Sequence, residues 1–269
     1  MQGAGNRIVV VDARESTAEP PSTAVLTQLA DESTGPGFDQ LMWLMAATDS
    51  AATASYRVFN ADGSEVEQCG NGIRCIAILL AAEDPQSTQF VLQSPAGVIR
   101  TEIVDEGQVA VDMGPPVFEP DDIPFVADSM ATTYPLEAGE QTLEIAAVSM
   151  GNPHCVVQVD DVHRADVAQL GPLLEHHERF PQRTNVGFLA IQSRHTVDLR
   201  VHERGTGETL ACGTGACAAM VAAHRLGLVD DAVTVRVPGG QLMVKWRGDA
   251  DSVTLIGDAC LVAEGNIDL

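Results

Sequence analysis

The sequence is poor in positive charge and in aromatic residues. Its 269 residues include 15 Lys and Arg against 38 Asp and Glu, which gives a formal net charge of −23 and a pI near 4.4. Lys245 is its one lysine, and aromatic residues make up 4% of the chain. A surface this negative repels phosphate groups and anionic lipid. We therefore expect neither nucleic acid nor a membrane as a partner.

Long apolar runs and paired cysteine motifs are also missing. No stretch reaches the roughly 18 apolar residues that a membrane span needs. Residues 1–14 lack the basic start and continuous apolar core of a signal peptide, so we expect a cytoplasmic location. Six cysteines in a chain this long are too sparse for a disulfide scaffold, and a reducing cytosol would keep them as thiols. None forms a Cys-x-x-Cys pair, so no metal site is expected.

The chain instead contains an internal repeat at an offset of 143 residues. Cys69-Gly-Asn-Gly72 aligns with Cys212-Gly-Thr-Gly215, and Pro95 aligns with Pro238. A chain of this length exceeds one hydrophobic core, so two domains of one type are expected. We predict an N-terminal lobe over residues 1–114, completed by 258–269, and a C-terminal lobe over 115–257.

Each copy is predicted to contain a strand, the cysteine motif, an apolar helix and three more strands. Alternating apolar and polar residues are typical of half-buried strands, and longer apolar runs indicate buried helices. In the first copy the predicted strands are Ser55–Asn60, Gln89–Gln93, Val98–Val104 and Val109–Met113, with a helix at Ile73–Ala82. In the second they are Thr196–Glu203, Val233–Val237, Leu242–Trp246 and Val253–Ile256, with a helix at Ala216–Leu226. Covering helices are predicted at Ser22–Ala30 and Arg164–His176. The predicted class is a β-rich α/β fold.

A cysteine at the start of a buried helix is suited to acid–base chemistry. The first-turn N–H groups lack intrahelical partners, and with the helix dipole they favour a thiolate or a bound carboxylate. We therefore expect a lowered thiol pKa at Cys69 and Cys212. Two thiols on opposite faces of one carbon would remove a proton from one side and deliver one from the other. Such stereoinversion needs no cofactor if the helix termini stabilise the developing charge.

The other cysteines are predicted to be core residues. Most cysteines in proteins are small buried hydrophobes, and a single Cys-Gly at a helix start would favour that interpretation too. The repetition of the motif at matched positions favours a catalytic function for Cys69 and Cys212. The residues predicted to lie in the core are Cys75, Cys155, Cys217 and Cys260.

The sequence resembles the diaminopimelate epimerase family over nearly its whole length. The motifs that carry the resemblance are Gly5-Asn6, Gly37-Phe-Asp-Gln40, Phe59-Asn-Ala-Asp-Gly63, Gln68-Cys-Gly-Asn-Gly72, Gly151-Asn-Pro-His154, Thr184-Asn-Val-Gly-Phe188, Glu203-Arg-Gly-Thr-Gly-Glu208 and Ala211-Cys-Gly-Thr-Gly-Ala216. The resemblance implies two pseudo-symmetric lobes, each a β-roll around a central helix, with a last strand near Cys260–Asp268 that returns to the first lobe. It further implies a homodimer and a cofactor-independent epimerase that interconverts LL- and meso-diaminopimelate, on the route to lysine and peptidoglycan.

The resemblance also assigns a role to individual residues. Cys69 and Cys212 match the paired acid and base. The helix-start amides that bind the reacting carboxylate match Gly70, Asn71, Gly213 and Thr214. Groups that hold the far end of the substrate match Asn60, Asn185 and Arg204, and further polar contacts match Asn6, Gln40 and Asn152. Residues that tune the thiols match His154 and Glu203, the latter also contacting the substrate.

Several of these positions have plainer interpretations. Asn60 precedes Asp-Gly and is typical of a turn, and Asn152-Pro-His154 is equally typical of a tight turn with a structural histidine. Glu203-Arg204 is also compatible with an exposed strand end. The sequence departs from the family pattern at its start, where Arg7 replaces an acidic residue and the usual leading strand is absent. We expect this absence to leave an edge in the first lobe.

Two other functions remain open at this point. A proline or hydroxyproline racemase would also use two thiols, but its substrate has one carboxylate and needs no distant clamp such as Arg204. A thiol-switched binding module would keep the fold without requiring both cysteines at once.

Overall fold

The chain forms a mixed α/β structure in which strands predominate. The computed structural model describes residues 1–66, 69–95, 97–139 and 141–267. Gln68, part of one family motif, lies outside the described residues, as does Asp268. The chain divides into two compact units. The first unit comprises Met1–Asp112 and Ile256–Leu269, and the second comprises Met113–Leu255.

The first unit contains eight strands before the chain enters the second unit. They are β1 (Gln2–Gly3), β2 (Asn6–Asp12), β3 (Gln40–Met45), β4 (Ala54–Asn60), β5 (Glu65–Val66), β6 (Gln89–Ser94), β7 (Gly97–Asp105) and β8 (Gln108–Asp112). Helix α1 (Thr23–Ala30) connects β2 to β3, which are parallel. Helix α2 (Gly70–Glu83) follows the short strand β5.

The second unit has the same order of elements after a 3₁₀ turn at Pro120–Asp122. Its strands are β9 (Tyr134–Ala138), β10 (Gln141–Ser149), β11 (Pro153–Gln158), β12 (Asn185–Ser193), β13 (Thr196–Glu203), β14 (Gly207–Thr209), β15 (Ala232–Val237), β16 (Gly240–Lys245) and β17 (Thr254–Asp258), whose end returns to the first unit. Helix α3 (Val167–Glu175) connects the parallel strands β11 and β12. Helix α4 (Gly213–Arg225) follows β14.

Each of the longer helices, α2 and α4, is the centre of its unit. Helix α2 packs against β2, β3, β7 and β8, and α4 packs against strands of its own unit from β10 to β16. All residues of α4 from Gly213 to Ala223 are buried. A helix that is apolar on every side is stable only when sheet surrounds it, which is why these segments lack an amphipathic pattern. The structure is therefore a β-roll around a helix, used twice.

Strand pairing extends the repeat beyond the segments that align in sequence. In the first unit Ile8 lies opposite Gln40, and Gln40 lies opposite Asn60. In the second unit His154 lies opposite Asn185 in the same parallel arrangement. Strand β2 is therefore equivalent to β11, and β3 is equivalent to β12, at an offset slightly longer than 143 residues. An insertion before the repeated strand hides this correspondence in the sequence.

The predicted elements agree with the observed ones to within a few residues. The prediction for β13 matches its observed bounds, and that for β15 differs at one residue. Both apolar helices begin three residues earlier than predicted, because the glycines after each cysteine already belong to the first turn. Cys75, Cys155 and Cys217 are buried as predicted.

Three expectations about the two ends of the chain are wrong. Cys260 is exposed rather than a core residue, because it follows the last strand instead of lying within one. That last strand is Thr254–Asp258, not a strand near Cys260–Asp268. The start of the first lobe is also not an open edge, because β1 pairs with β2. Gln2 and Cys260 further exchange two backbone hydrogen bonds of 2.9 Å. Among the described residues, no helix is long and apolar enough to cross a membrane.

A steric test of this packing is available at Gly72 in the first turn of α2. A Cβ atom placed there would overlap the Met42 sulfur on β3. We expect Gly72→Ala to lower the free energy of unfolding by about 1–3 kcal/mol, since overpacking a core has this effect. Gly265→Ala is the matched control, because its Cβ would meet nothing within 4 Å. Urea denaturation measures both, and equal stability of the two variants would contradict the close helix–strand contact.

Candidate active site

Cys69 is the residue that caps the N-terminus of α2. Its backbone is extended, and its sulfur accepts a hydrogen bond from the Gly72 amide over 3.1 Å. The thiol in turn lies 2.5 Å from Oε1 of Gln40 on β3. The cysteine thus replaces the Ser, Thr or Asp that usually satisfies a first-turn amide. The site thereby places a reactive atom at the helix terminus.

A chain of polar side chains leads from Cys69 across the first unit. Gln40 donates from Nε2 to Oδ1 of Asn60 over 3.2 Å, and Asn60 donates to the Ser64 hydroxyl over 3.2 Å. The antiparallel register places Gln40 directly opposite Asn60. Asn60 also accepts a backbone hydrogen bond from Gly63, as a turn residue does. The turn expected for Asn60 is therefore present, and its side chain contacts Gln40 and Ser64.

The remaining predicted residues of the first unit lie at element starts. Asn6 is buried at the beginning of β2, two residues before the residue opposite Gln40. Gly70 and Asn71 form the first turn of α2. The Asn71 side chain accepts from the buried Arg74 guanidinium over 2.8 Å. This contact uses the side-chain oxygen of Asn71, and the backbone amides of the first turn are groups suited to an anion.

Cys212 occupies the equivalent position at the N-terminus of α4. Its sulfur lies 3.6 Å from the Thr214 hydroxyl, and it donates a hydrogen bond to the Glu203 carboxyl. A Cβ at Gly215 would lie 3.2 Å from that sulfur, so glycine leaves the thiol its space. The second cysteine therefore has an acidic neighbour at its sulfur.

The thiol pKa expected from the helix start alone is wrong for Cys212. Burial raises the pKa of this thiol well above its ordinary value, and the negative charge of Glu203 raises it further. Burial likewise raises the pKa of Glu203, although a hydrogen bond from Thr209 over 2.5 Å opposes this effect. Desolvation acts on the whole charge, whereas the helix terminus contributes only partial charges. In the free protein Cys212 is therefore a thiol at neutral pH.

His154 and Asn152 form a second polar group beside α4. His154 is fully buried, and its Nε2 lies 2.9 Å from Oδ1 of Asn152. Asn152 also donates to the Thr214 hydroxyl over 3.4 Å. Burial lowers the pKa of His154 to about 3, and the positive charge of Arg204 adds to this effect. The imidazole is therefore neutral, and it positions Asn152 through a hydrogen bond instead of contributing charge.

Asn185 connects β11, the strand that contains His154, to the loop that carries Arg204. Its Nδ2 donates to the Pro153 carbonyl over 3.1 Å, and its Oδ1 accepts from the Arg204 amide over 3.0 Å. The Arg204 guanidinium donates to the Gln182 carbonyl over 3.2 Å. Because one of its five donors is used in this way, the fork keeps donors for a carboxylate.

The two half-sites correspond strand for strand. The first contains Asn6, Gln40, Asn60 and Cys69, and the second contains Asn152, Asn185, Glu203 and Cys212.

Thr209, which holds the Glu203 carboxyl, is the site residue that sequence reasoning missed, since a threonine on a short strand carries no distinguishing signal. No group of three or more His, Cys, Asp or Glu arranged to hold a metal ion occurs within the described part of the chain.

Solved structures with this fold include a probable proline racemase, a hydroxyproline epimerase and phenazine biosynthesis proteins of the PhzF family. A probable proline racemase from Agrobacterium radiobacter superposes with a TM-score of 0.74 at 16% identity, covering 100% of this chain and 91% of that one. A hydroxyproline epimerase from Agrobacterium vitis gives 0.68 at 18% identity, covering 96% and 86%. The two β-roll lobes thus have the fold that is seen in these two structures.

Sequence comparison identifies the family. The family model for diaminopimelate epimerase matches residues 1–119 and 146–262. A diaminopimelate epimerase from Pseudomonas entomophila is 50% identical over 271 residues, covering 100% of this chain and 98% of its relative. One from Thioalkalivibrio sulfidiphilus is 47% identical with the same coverage. The chain belongs to the diaminopimelate epimerase family and is an enzyme of the isomerase class.

The environment of Cys212 leads to a prediction about its titration. We expect no Cys212 thiolate at neutral pH and its appearance only well above pH 9, since burial and Glu203 favour the thiol. Glu203→Gln removes the neighbouring charge and should move the titration to lower pH. Thiolate absorbance near 240 nm, taken as the difference from a Cys212→Ser variant, measures both titrations. A Cys212 thiolate at pH 7 in the unliganded enzyme would contradict this description.

Proposed function

We propose that the protein interconverts LL- and meso-diaminopimelate by moving a proton at one α-carbon with two cysteines. The observation that carries this proposal is the repeated thiol at the start of each central helix, with glycine amides beside it. Family membership supports the substrate, since relatives 47–50% identical over the whole chain are named for it. The reaction belongs to the synthesis of lysine and peptidoglycan precursors, in the cytoplasm, and the active form is a homodimer.

In the proposed reaction one cysteine is a thiolate and the other a thiol. The thiolate of one residue takes the α-proton, while the thiol of the other gives its proton to the opposite face of the same carbon. The enzyme ends with the two protonation states exchanged, and the reverse reaction restores them. The two sulfurs have different neighbours, since Cys69 lies between the Gly72 amide and the neutral Gln40 side chain, whereas Cys212 lies beside the Glu203 carboxyl.

The amides at the two helix starts are proposed to stabilise the charge that develops on the substrate. Removing the α-proton spreads negative charge onto the adjacent carboxylate. First-turn N–H groups without intrahelical partners favour such charge, and their positions are already set by the helix. We assign this role to the backbone of Gly70, Asn71, Gly213 and Thr214. No cofactor is required for this stabilisation.

The distal amino acid of diaminopimelate is proposed to bind at the polar strand ends. We assign its carboxylate to Arg204, whose fork suits bidentate binding, and its other polar contacts to Asn60 and Asn185. Asn6, Gln40 and Asn152 complete the polar lining, and neutral His154 holds Asn152 in place. A proline racemase needs no such clamp for a second carboxylate, so these residues favour the longer substrate.

Isotope exchange tests the two-base reaction directly. We expect LL-diaminopimelate, incubated with reduced protein in D₂O, to gain deuterium at one α-carbon and to become the meso form. Cys69→Ala and Cys212→Ala should each abolish the stereoinversion, because each substitution removes one of the two groups that must take or give a proton. Cys260→Ser is the control, since this thiol is exposed and lies outside both half-sites. Full activity in either active-site variant, or no exchange in the wild type, would refute the proposal.

The distal clamp is tested separately at Arg204. Arg204→Ala should reduce kcat/KM for diaminopimelate by a factor on the order of 10²–10³, since it removes a charged partner of the substrate. Arg247→Ala, an exposed arginine of the same unit, should leave kcat/KM unchanged. Steady-state kinetics with diaminopimelate and with L-proline measures the effect. Unchanged kinetics in Arg204→Ala, or faster turnover of proline, would favour a racemase of a substrate with one carboxylate.

A further inference from the structure

We propose that Glu175 is the positioning residue for Glu203 and Arg204, which it holds from outside the substrate site. Glu175 is the last residue of α3, and its side chain is 5% exposed. A buried carboxylate is unfavourable unless its oxygens are hydrogen-bonded. The hydrogen-bond partners of Glu175 therefore show which part of the structure it stabilises. The inference rests on the proposed function, because it assigns a residue to the same site.

The two oxygens of Glu175 bind on either side of the Glu203-Arg204 pair. Oε2 lies 2.9 Å from Nε2 of His202, and Oε1 accepts from the Gly205 amide over 2.9 Å. His202 and Gly205 immediately flank the two residues of the half-site. A single rigid carboxylate thus spans the dipeptide and attaches both of its ends to α3.

The surroundings of this carboxylate leave little room for movement. A Cβ at Gly171 of α3 would lie 2.6 Å from the His202 ring, so helix and histidine are in close contact. Gly205 has a φ of +77°, which turns the chain sharply after Arg204. Arg183 and His176 approach the carboxylate at 3.8 Å and 3.9 Å, from more exposed positions.

The loop is attached to the half-site on its other side as well. The Arg204 amide donates to Asn185, while Glu203 hydrogen-bonds Thr209 and Cys212. These inner contacts orient the Glu203 side chain toward the Cys212 sulfur and the Arg204 side chain toward the distal carboxylate of the substrate. The outer contacts to Glu175 keep the backbone from moving away when a substrate pulls on the guanidinium. The turn between β13 and β14 is thus held on both of its sides.

The first unit shows that the fold itself does not require this carboxylate. The repeat places Phe59 at the position of His202, and Ala61 at the position of Arg204. Phe59 lies in an apolar cluster with Leu29 of α1, the helix that occupies the place of α3. The unit without the arginine therefore packs apolar side chains at this position. The hydrogen-bonded pair occurs only in the unit that carries Arg204.

This difference between the units supplies the test variant. The double substitution Glu175→Leu with His202→Phe copies the apolar packing of the first unit and removes both attachments of the loop. We expect it to raise KM for diaminopimelate roughly 10–100-fold, more than it lowers kcat, because misplacing a binding group has effects of this size. Glu175→Gln, which can still accept from Gly205, should keep KM within a few-fold of the wild type.

Stability and amide exchange separate positioning from folding. Thermal unfolding of the double variant should stay near that of the wild type, while hydrogen exchange at the Gly205 amide becomes faster. Glu208→Gln is the control, since it removes an exposed ion pair with Arg200 from the neighbouring strands. Should the double variant not fold, Glu175→Asp replaces it, because the shorter side chain cannot reach both partners and should also raise KM.

The outcomes distinguish this proposal from the proposed function. A folded double variant with wild-type KM and protected Gly205 would overturn the positioning role. A loss of activity that follows the loss of stability, with no separate rise in KM, would overturn it too. If the wild type fails to epimerise diaminopimelate, the proposed function falls, while the exchange rate of the Gly205 amide still reports whether Glu175 holds the loop.

Discussion

The structure depends on how the backbone amides at the start of each buried helix are hydrogen-bonded. The first-turn amides of such a helix have no intrahelical partners and no access to water, so they need an acceptor at the N-terminus. In the first unit Cys69 accepts from the Gly72 amide, and in the second Cys212 occupies the same position. In the first unit the acceptor that caps the helix is thereby also a chemically reactive atom. The β-roll surrounds the helix, and the candidate site lies at the N-terminus of that helix.

Duplication produced two such termini, and their surroundings have since diverged. Cys69 contacts a neutral amide, Gln40, whereas Cys212 contacts an acid, Glu203. The proposed reaction, which needs one thiol and one thiolate, would benefit from this difference, because the acid favours the protonated state of its neighbour. The same divergence separates Phe59 from His202 and Ala61 from Arg204. The second unit has a charged, hydrogen-bonded loop where the first has an apolar contact.

Most of the fold was accessible from the sequence because local signals agreed with one another. The alternation over Thr196–Glu203 and the apolar run after each Cys-Gly-x-Gly correctly predicted strand, helix start and repeat. Cys260 was predicted wrongly because an apolar run at the chain end resembles a strand, although it contributes only an isolated pairing to Gln2. The pKa of Cys212 was predicted wrongly because a helix start is visible in sequence but the depth of burial is not.

The sequence by itself determined the repeat, the element order and the two cysteines, since glycine, proline and thiol positions reflect local backbone and chemical requirements. Only the tertiary structure decided which polar groups meet. Gln40 reaches Asn60 through antiparallel register, and Glu175 reaches Gly205 from a helix about thirty residues earlier in the chain. These contacts depend on strand pairing and on burial, which arise from the packing of distant segments. No local pattern of residues encodes them.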